Sequence, residues 1–240
     1  MNDDTTDAER TDPVPRTVQE ERTLTPMRRS IASRLHESYS EAVHVTVSRE
    51  IDAEALVART ERAQDALETP VSILDVVLVA VSKTLDDHPE FNATYEDETH
   101  MIYEEHNVAV AIDLDRGLVT PVLEDLREKS FGDVAAERRA LTERVQAGEY
   151  SMSDLKGSTF TVSNLGPLGS DSFTPVINPP EVGILGVNRI RERPAFVDGD
   201  VESNRYLNFD LSIDHRAVDG ADAARFLETL ADVLTGEVES

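Results

Sequence analysis

The segment Tyr206-Leu207-Asn208-Phe209-Asp210-Leu211-Ser212-Ile213 alternates apolar and polar side chains, which puts Leu207, Phe209, Leu211 and Ile213 on one face of a half-buried strand. Soon after it, Ala223, Phe226, Leu227, Leu230, Val233 and Leu234 recur at helical spacing. A strand running through Asp214-His215-Arg216-Ala217-Val218-Asp219-Gly220 into an amphipathic helix calls for a helix layer packed on a sheet. The junction also puts His215, the candidate base, at a strand end where side chains can meet substrate. Asp219-Gly220 equally suits the plain start of a helix.

The rest of the chain follows the same alternation of elements. Thr25-Pro26 is an N-cap followed by proline at the first helical position, and Met27, Ile31, Leu35 and Tyr39 then form a stripe at spacing four. A strand is predicted at Val43 to Val47, a helix at Ala53 to Ala66, and after Pro70 a second helix at Ser72 to Leu85, apolar nearly all round and hence buried. Strands are predicted at Phe91 to Tyr95, His100 to Tyr103 and Asn107 to Leu114, then a helix capped by Ser130 reaching Ala147. After a Ser153-capped turn come strands at Ser158 to Ser163, Val182 to Asn188 and Arg205 to Ile213. The pattern is that of an α/β (α+β layered) domain.

Residues 1–22 carry seven acidic and three basic side chains, two prolines and no aromatic residue, and read as a disordered acidic tail or linker before one domain over 23–240. Across the 240 residues, 48 Asp and Glu oppose 23 Lys and Arg, a formal charge of −25, and the only lysines are Lys83, Lys129 and Lys156. That balance argues against nucleic acid or an anionic membrane as partner and matches the acidic, lysine-poor surfaces of halophilic proteins. With no cysteine, any thiol chemistry must use a substrate thiol. The longest strongly apolar stretch, Val76 to Val81, is too short to span a bilayer and the N-terminus lacks a signal pattern, so the chain reads as cytoplasmic.

Two further segments stand out beside the His215 segment: Ser158-Thr159-Phe160-Thr161-Val162-Ser163-Asn164-Leu165-Gly166 and Phe173-Thr174-Pro175-Val176-Ile177-Asn178-Pro179-Pro180-Glu181-Val182-Gly183-Ile184-Leu185-Gly186-Val187. Together the three resemble the catalytic domain of the dihydrolipoamide acyltransferases, the E2 components of 2-oxo acid dehydrogenase complexes, which share a fold and a His-x-x-x-Asp-Gly signature with chloramphenicol acetyltransferase. The resemblance extends to Leu24 to Ala32, His88 to Ala93 and Arg116 to Val122, and so covers Leu24 to Gly236 in family order. It implies a chloramphenicol acetyltransferase-like two-layer sandwich with a mixed sheet. It also implies acyl transfer, acetyl or branched-chain rather than succinyl, between dihydrolipoamide and coenzyme A. The implied site lies between subunits of a homotrimer that can build a cubic or icosahedral core with E1 and E3 partners.

By this resemblance His215 is the base and Ser163 the oxyanion donor. Asp219 then supports the base or pairs with Arg28 or Arg29. Full-length E2 chains carry N-terminal lipoyl domains and a small partner-binding domain not seen in this sequence, so either a separate domain or chain presents the lipoyl group, or this is a fragment, or the protein acts on another acyl acceptor. Arg189, Arg191 and Arg193 alternate and would share one strand face, a candidate patch for the phosphates of coenzyme A or else a solvated edge. His215 and Asp219 lack the further ligands a metal site needs. Two alternatives stay open: a non-catalytic scaffold core and a small-molecule O-acetyltransferase.

Overall fold

The computed structural model describes residues 16–114, 117–197 and 200–236. Residues 16–22 are exposed and lack helix or strand; residues 1–15 of the expected tail, Arg116 and the last four residues lie outside the described residues. The helices are α1 (Pro26–Glu41), α2 (Glu54–Ala66), α3 (Ile73–Asp87), α4 (Phe131–Gln146) and α5 (Gly220–Thr235). The strands are β1 (His44–Asp52), β2 (Ala93–Glu96), β3 (Thr99–Ile102), β4 (Val108–Val110), β5 (Ile112–Leu114), β6 (Gly117–Val119), β7 (Val122–Leu123), β8 (Phe160–Asn164), β9 (Gly183–Val197) and β10 (Asp200–Asp214).

Six strands form a mixed sheet in the order β1-β10-β9-β8-β4-β7, parallel at β9/β8 and β8/β4 and antiparallel elsewhere. Helices pack on it, as the layered reading expects. Leu207, Phe209, Leu211 and Ile213 are buried in one cluster with Phe226, Leu227 and Leu230 of α5. The Phe226 ring sits 4.8 Å from Phe91 and 5.7 Å from Phe160, filling the space between α5 and the sheet. Helix α3 is buried nearly all round, and its fully buried Asp75 is neutralised by Arg138 of α4 at 2.7 Å. Ser72 and Asp75 close a capping box and Thr25 caps α1, so the local start signals hold.

Four expectations change. The polar face of β10 is not solvated: Asp210, Ser212 and Asp214 are 1%, 0% and 2% exposed. Segment 170–178 covers that face, and Asp210 accepts from Ser48, Ser172, Asn188 and the Phe173 backbone N–H. Burial alone would raise the Asp210 pKa, but these hydrogen bonds outweigh it and hold the carboxyl below its usual range. The stretch 107–114 breaks at Ala111, whose N–H turns to Val162 O, so β4 and β5 join different sheets. Phe91 belongs to a 3-10 turn ahead of β2 rather than to a strand. On α1 the stripe is covered only at its start, since Leu35 and Tyr39 stay exposed and the buried residue is Ser38, which donates to Ile177 O at 2.6 Å.

Candidate active site

His215 leaves the end of β10 with its backbone N–H on Val43 O at 2.9 Å. Its two neighbours clamp the turn. Asp214 accepts from the Val43 N–H at 3.2 Å and from Arg216 Nε at 3.0 Å and Nη2 at 2.6 Å, while the Arg216 guanidinium lies 4.8 Å above the Tyr95 ring. Burial pushes the Asp214 carboxyl up, yet the Arg216 and Val43 hydrogen bonds prevail and keep it below the usual carboxylate range. The imidazole is 41% exposed, with Nδ1 3.7 Å from Asp219 Oδ1. That is beyond a hydrogen bond, so the carboxylate stands beside the ring without holding it. Among the described residues Nε2 has no protein partner, so it is open to a substrate proton.

Asp219 has a second task. It caps α5, with Asp222 returning the capping box through the Asp219 N–H at 3.0 Å. Neither candidate arginine pairs with it: Arg29 donates to Leu24 O at 2.7 Å, and Arg28 lies beside Gly117. Gly220 is not left-handed and begins the helix.

Ser163 sits on β8, 9% exposed, and lines an apolar cavity of about 270 Å³ with Ile31, Leu118, Phe173, Val176 and Ile184. Among the described residues its hydroxyl has no protein hydrogen-bond partner, which leaves it free to donate into the cavity. Gly186 is its neighbour in the sheet; a Cβ there would stand 2.9 Å from the Phe173 ring and 3.1 Å from Asp210 O, so only glycine lets Phe173 close the cavity wall.

The chain does not bring Ser163 and His215 together. Ser163, Gly186 and Asp210 lie in one row across β8, β9 and β10. His215 is five residues beyond that row and two strands over, or about 16 Å along the strands and about 10 Å across them. His215 with Asp219, and Ser163 with its cavity, therefore lie at two separate places on the chain.

Four of the other histidines are engaged elsewhere, His88 with the Thr229 hydroxyl and His100 with Glu90 O among them. His106 is buried against Ser82 at 2.8 Å, with burial lowering its pKa, and His44 Nε2 accepts the Ile177 N–H at 3.2 Å. Arg189, Arg191 and Arg193 do share a strand face, but Asp171 holds Arg189 and Arg191 while Glu50 holds Arg191 and Arg193.

Glu181, close to the Ser163 cavity, is a residue that the sequence reading passed over. It is fully enclosed, accepts from Thr161 Oγ1 at 2.5 Å, Asn178 Nδ2 at 2.7 Å and the Ser158 hydroxyl, and its carboxyl is pushed up to about 7 chiefly by burial. It thereby ties β8 to Asn178, which lines the Ser163 cavity. The signal in the sequence was a lone carboxylate wedged between Pro179-Pro180 and an apolar run.

Comparison with known proteins agrees with this geometry. The family model for the 2-oxoacid dehydrogenases acyltransferase (catalytic domain) matches residues 17–239. The chain is 37% identical over 213 residues to the lipoamide acyltransferase component of the branched-chain alpha-keto acid dehydrogenase complex of Pseudomonas aeruginosa, covering 87% of this chain and 50% of the relative. It is 38% identical over 200 residues to the dihydrolipoyllysine-residue acetyltransferase component of the pyruvate dehydrogenase complex of Staphylococcus aureus, covering 81% of this chain and 46% of the relative. The chain thus spans about half the length of the curated relatives it matches.

Among solved structures, the dihydrolipoamide acetyltransferase of Azotobacter vinelandii superposes with a TM-score of 0.86 at 31% identity, covering 94% of this chain and 98% of the other. A cubic core of a pyruvate dehydrogenase multienzyme complex gives 0.83 at 30%, covering 94% and 98%. A chloramphenicol acetyltransferase, 15% identical over 84% of this chain and 94% of its own with a TM-score of 0.54, shares the fold. In the Azotobacter enzyme a serine, a histidine and an asparagine were studied for their role in the catalytic mechanism, spaced 52 and 4 positions apart, the spacings of Ser163, His215 and Asp219 here. The chain belongs to the family of 2-oxoacid dehydrogenase acyltransferase catalytic domains.

Proposed function

We propose that the protein transfers an acyl group, acetyl or branched-chain, between dihydrolipoamide and coenzyme A, as the E2 core of a 2-oxo acid dehydrogenase complex. The observation that carries the reading is the pairing of an accessible His215 Nε2, backed by Asp219, with an unpartnered Ser163 hydroxyl in an apolar cavity. His215 Nε2 takes the proton of the attacking thiol as its sulfur bonds to the thioester carbonyl carbon, typically worth about 100- to 10,000-fold. The Ser163 hydroxyl donates to the resulting oxyanion, typically worth about 100- to 1,000-fold. Collapse breaks the original carbon–sulfur bond and the imidazolium returns its proton to the departing thiolate. The Asp219 carboxylate, 3.7 Å from Nδ1, faces the ring through that interval.

Because one chain separates the two groups, the working site needs His215 of one copy beside Ser163 of the next. That supports a homotrimer, and the cubic core of the solved relative supports assembly beyond it. The lipoyl group would come from another domain or chain, and E1 and E3 enzymes would be the partners. In this reading residues 23–240 are the catalytic domain and 1–22 a linker. The protein is cytoplasmic and, given its charge of −25, adapted to high salt. Among the described residues no helix is long and apolar enough to cross a membrane.

The test is acetyl transfer from acetyl-coenzyme A to free dihydrolipoamide in molar KCl, with His215→Ala alongside. A folded variant slower by several hundred-fold supports the reading. Absence of wild-type transfer from acetyl, isobutyryl and succinyl donors would point to the scaffold core instead, and transfer only to a small hydroxylated acceptor to an O-acetyltransferase.

A further inference from the structure

Residues 173–179 all line the Ser163 cavity, yet they belong to no helix or strand. Main-chain groups need partners, and without a ladder this wall takes them from side chains. Asp210 accepts from the Phe173 N–H at 3.0 Å, His44 Nε2 accepts from the Ile177 N–H at 3.2 Å, and Ser38 donates to Ile177 O at 2.6 Å. At the far end Arg34 Nη2 donates to Pro179 O at 2.8 Å, and the Glu181 N–H donates to Asn178 O at 3.0 Å.

The Ser38, Arg34, His44 and Asp210 contacts tie the wall to α1, β1 and β10, whereas Ser163 stands on β8. The distance from the wall to Ser163 therefore depends on what joins residues 173–179 to β8. Glu181 makes that join. Its Oε1 accepts from Asn178 Nδ2 at 2.7 Å, and its Oε2 accepts from the Thr161 hydroxyl at 2.5 Å. Thr161 is two residues before Ser163 in β8, on the same face of the strand. Asn178 itself reaches Thr161 Oγ1 only at 3.5 Å, too long to hold the wall firmly.

The chemistry at position 181 is demanding. Glu181 is 3% exposed, and its carboxyl is the acceptor for both Asn178 and Thr161. An apolar side chain there would leave a buried hydroxyl and an amide without that acceptor, a loss that loosens what they hold. Only a side chain with an oxygen at this reach can bridge wall and strand.

We propose that Glu181 is a positioning residue for acyl transfer: it fixes Asn178, and with it the wall of residues 173–179, at the distance from Ser163 that seats the acyl group. The assignment rests on the acyltransferase reading for the identity of what the cavity holds. Glu181 acts through the wall and not on the reacting atoms. Its loss should weaken ground state and transition state alike, which raises KM and spares kcat.

The experiment compares wild type, Glu181→Ala and Glu181→Gln as the assembled protein in molar KCl. It measures acyl transfer from acetyl- and isobutyryl-coenzyme A, and hydrogen exchange across the wall. Glu181→Ala should raise KM about tenfold, the size of one lost buried hydrogen bond, with kcat within about threefold. Exchange at the Ile177 amide should quicken by about tenfold or more, while the Phe173 amide, held by Asp210, stays as in wild type. Glu181→Gln, whose amide oxygen accepts from Asn178, should restore both readouts. Should Glu181→Ala not fold, Asn178→Ala breaks the same join from the other side and is expected to give the same changes. Unaltered Ile177 exchange in the alanine variant overturns the proposal, as does a fall in kcat at constant KM or a failure of Glu181→Gln to rescue. If wild type transfers no acyl group, the acyltransferase reading falls, and the exchange comparison alone then decides whether Glu181 sets the wall.

Discussion

Replacing Glu181 by Gln should make the protein's stability less dependent on pH. In the native fold the carboxyl has a pKa of about 7 against 4.5 for the free group, because burial outweighs the hydrogen bonds from Ser158, Thr161 and Asn178 and the field of Arg34. The native state thus holds a proton that the unfolded chain has released, and stability falls as pH rises between those values. This contribution is complete below about pH 4.5 and lost above about pH 7, and a shift of this size corresponds to about 3 kcal/mol. Most of that, about 2 to 3 kcal/mol, falls between pH 5 and 8.

The neutral amide of the Gln variant keeps an acceptor for Asn178 and can donate to Thr161. It should therefore gain on wild type by about that amount as pH is raised over the range. Urea unfolding of both proteins at pH 5, 6, 7 and 8, at fixed KCl and protein concentration, measures the difference and cancels the repulsion of the acidic surface. A difference that stays constant from pH 5 to 8 would show that Glu181 is already ionised at pH 5, and the burial argument would be wrong.

Other outcomes follow from the same geometry. Ser163→Ala should lower kcat by about 100- to 1,000-fold with an unchanged thermal midpoint, because among the described residues the hydroxyl has no hydrogen-bond partner; a drop in midpoint would mark it as structural. Gly186→Ala should cost about 1–3 kcal/mol in urea unfolding and raise KM, since its methyl would push Phe173 off the cavity wall. Thermal midpoints measured from molar KCl down to low salt at pH 7 should fall as the charge of −25 is unscreened, and a flat profile would refute the salt adaptation.

The site was legible in parts and not as a whole. His215 and Ser163 stood out through the segments around them, and the spacing to Asp219 carried over intact. Glu181 did not, because an acid that follows two prolines acquires meaning only from what packs around it. Glu181 is unremarkable until Ser158, Thr161 and Asn178 enclose it.

What the sequence by itself determined are features set by neighbours within four residues. These are the caps of α1, α3 and α5, the buried α3, and the apolar alternation of β10 against the amphipathic α5. Their physics is local, a side chain reaching its own helix start or a periodicity choosing a face. Tertiary structure alone decided that the polar face of β10 would be buried, that residues 107–114 would split between two sheets, and that His215 and Ser163 would stand two strands apart. Each of those depends on which distant segment supplies a partner. Asp210 can be buried only because Ser48, Ser172 and Asn188 arrive from three other parts of the chain to hydrogen-bond it, and no local pattern encodes that meeting.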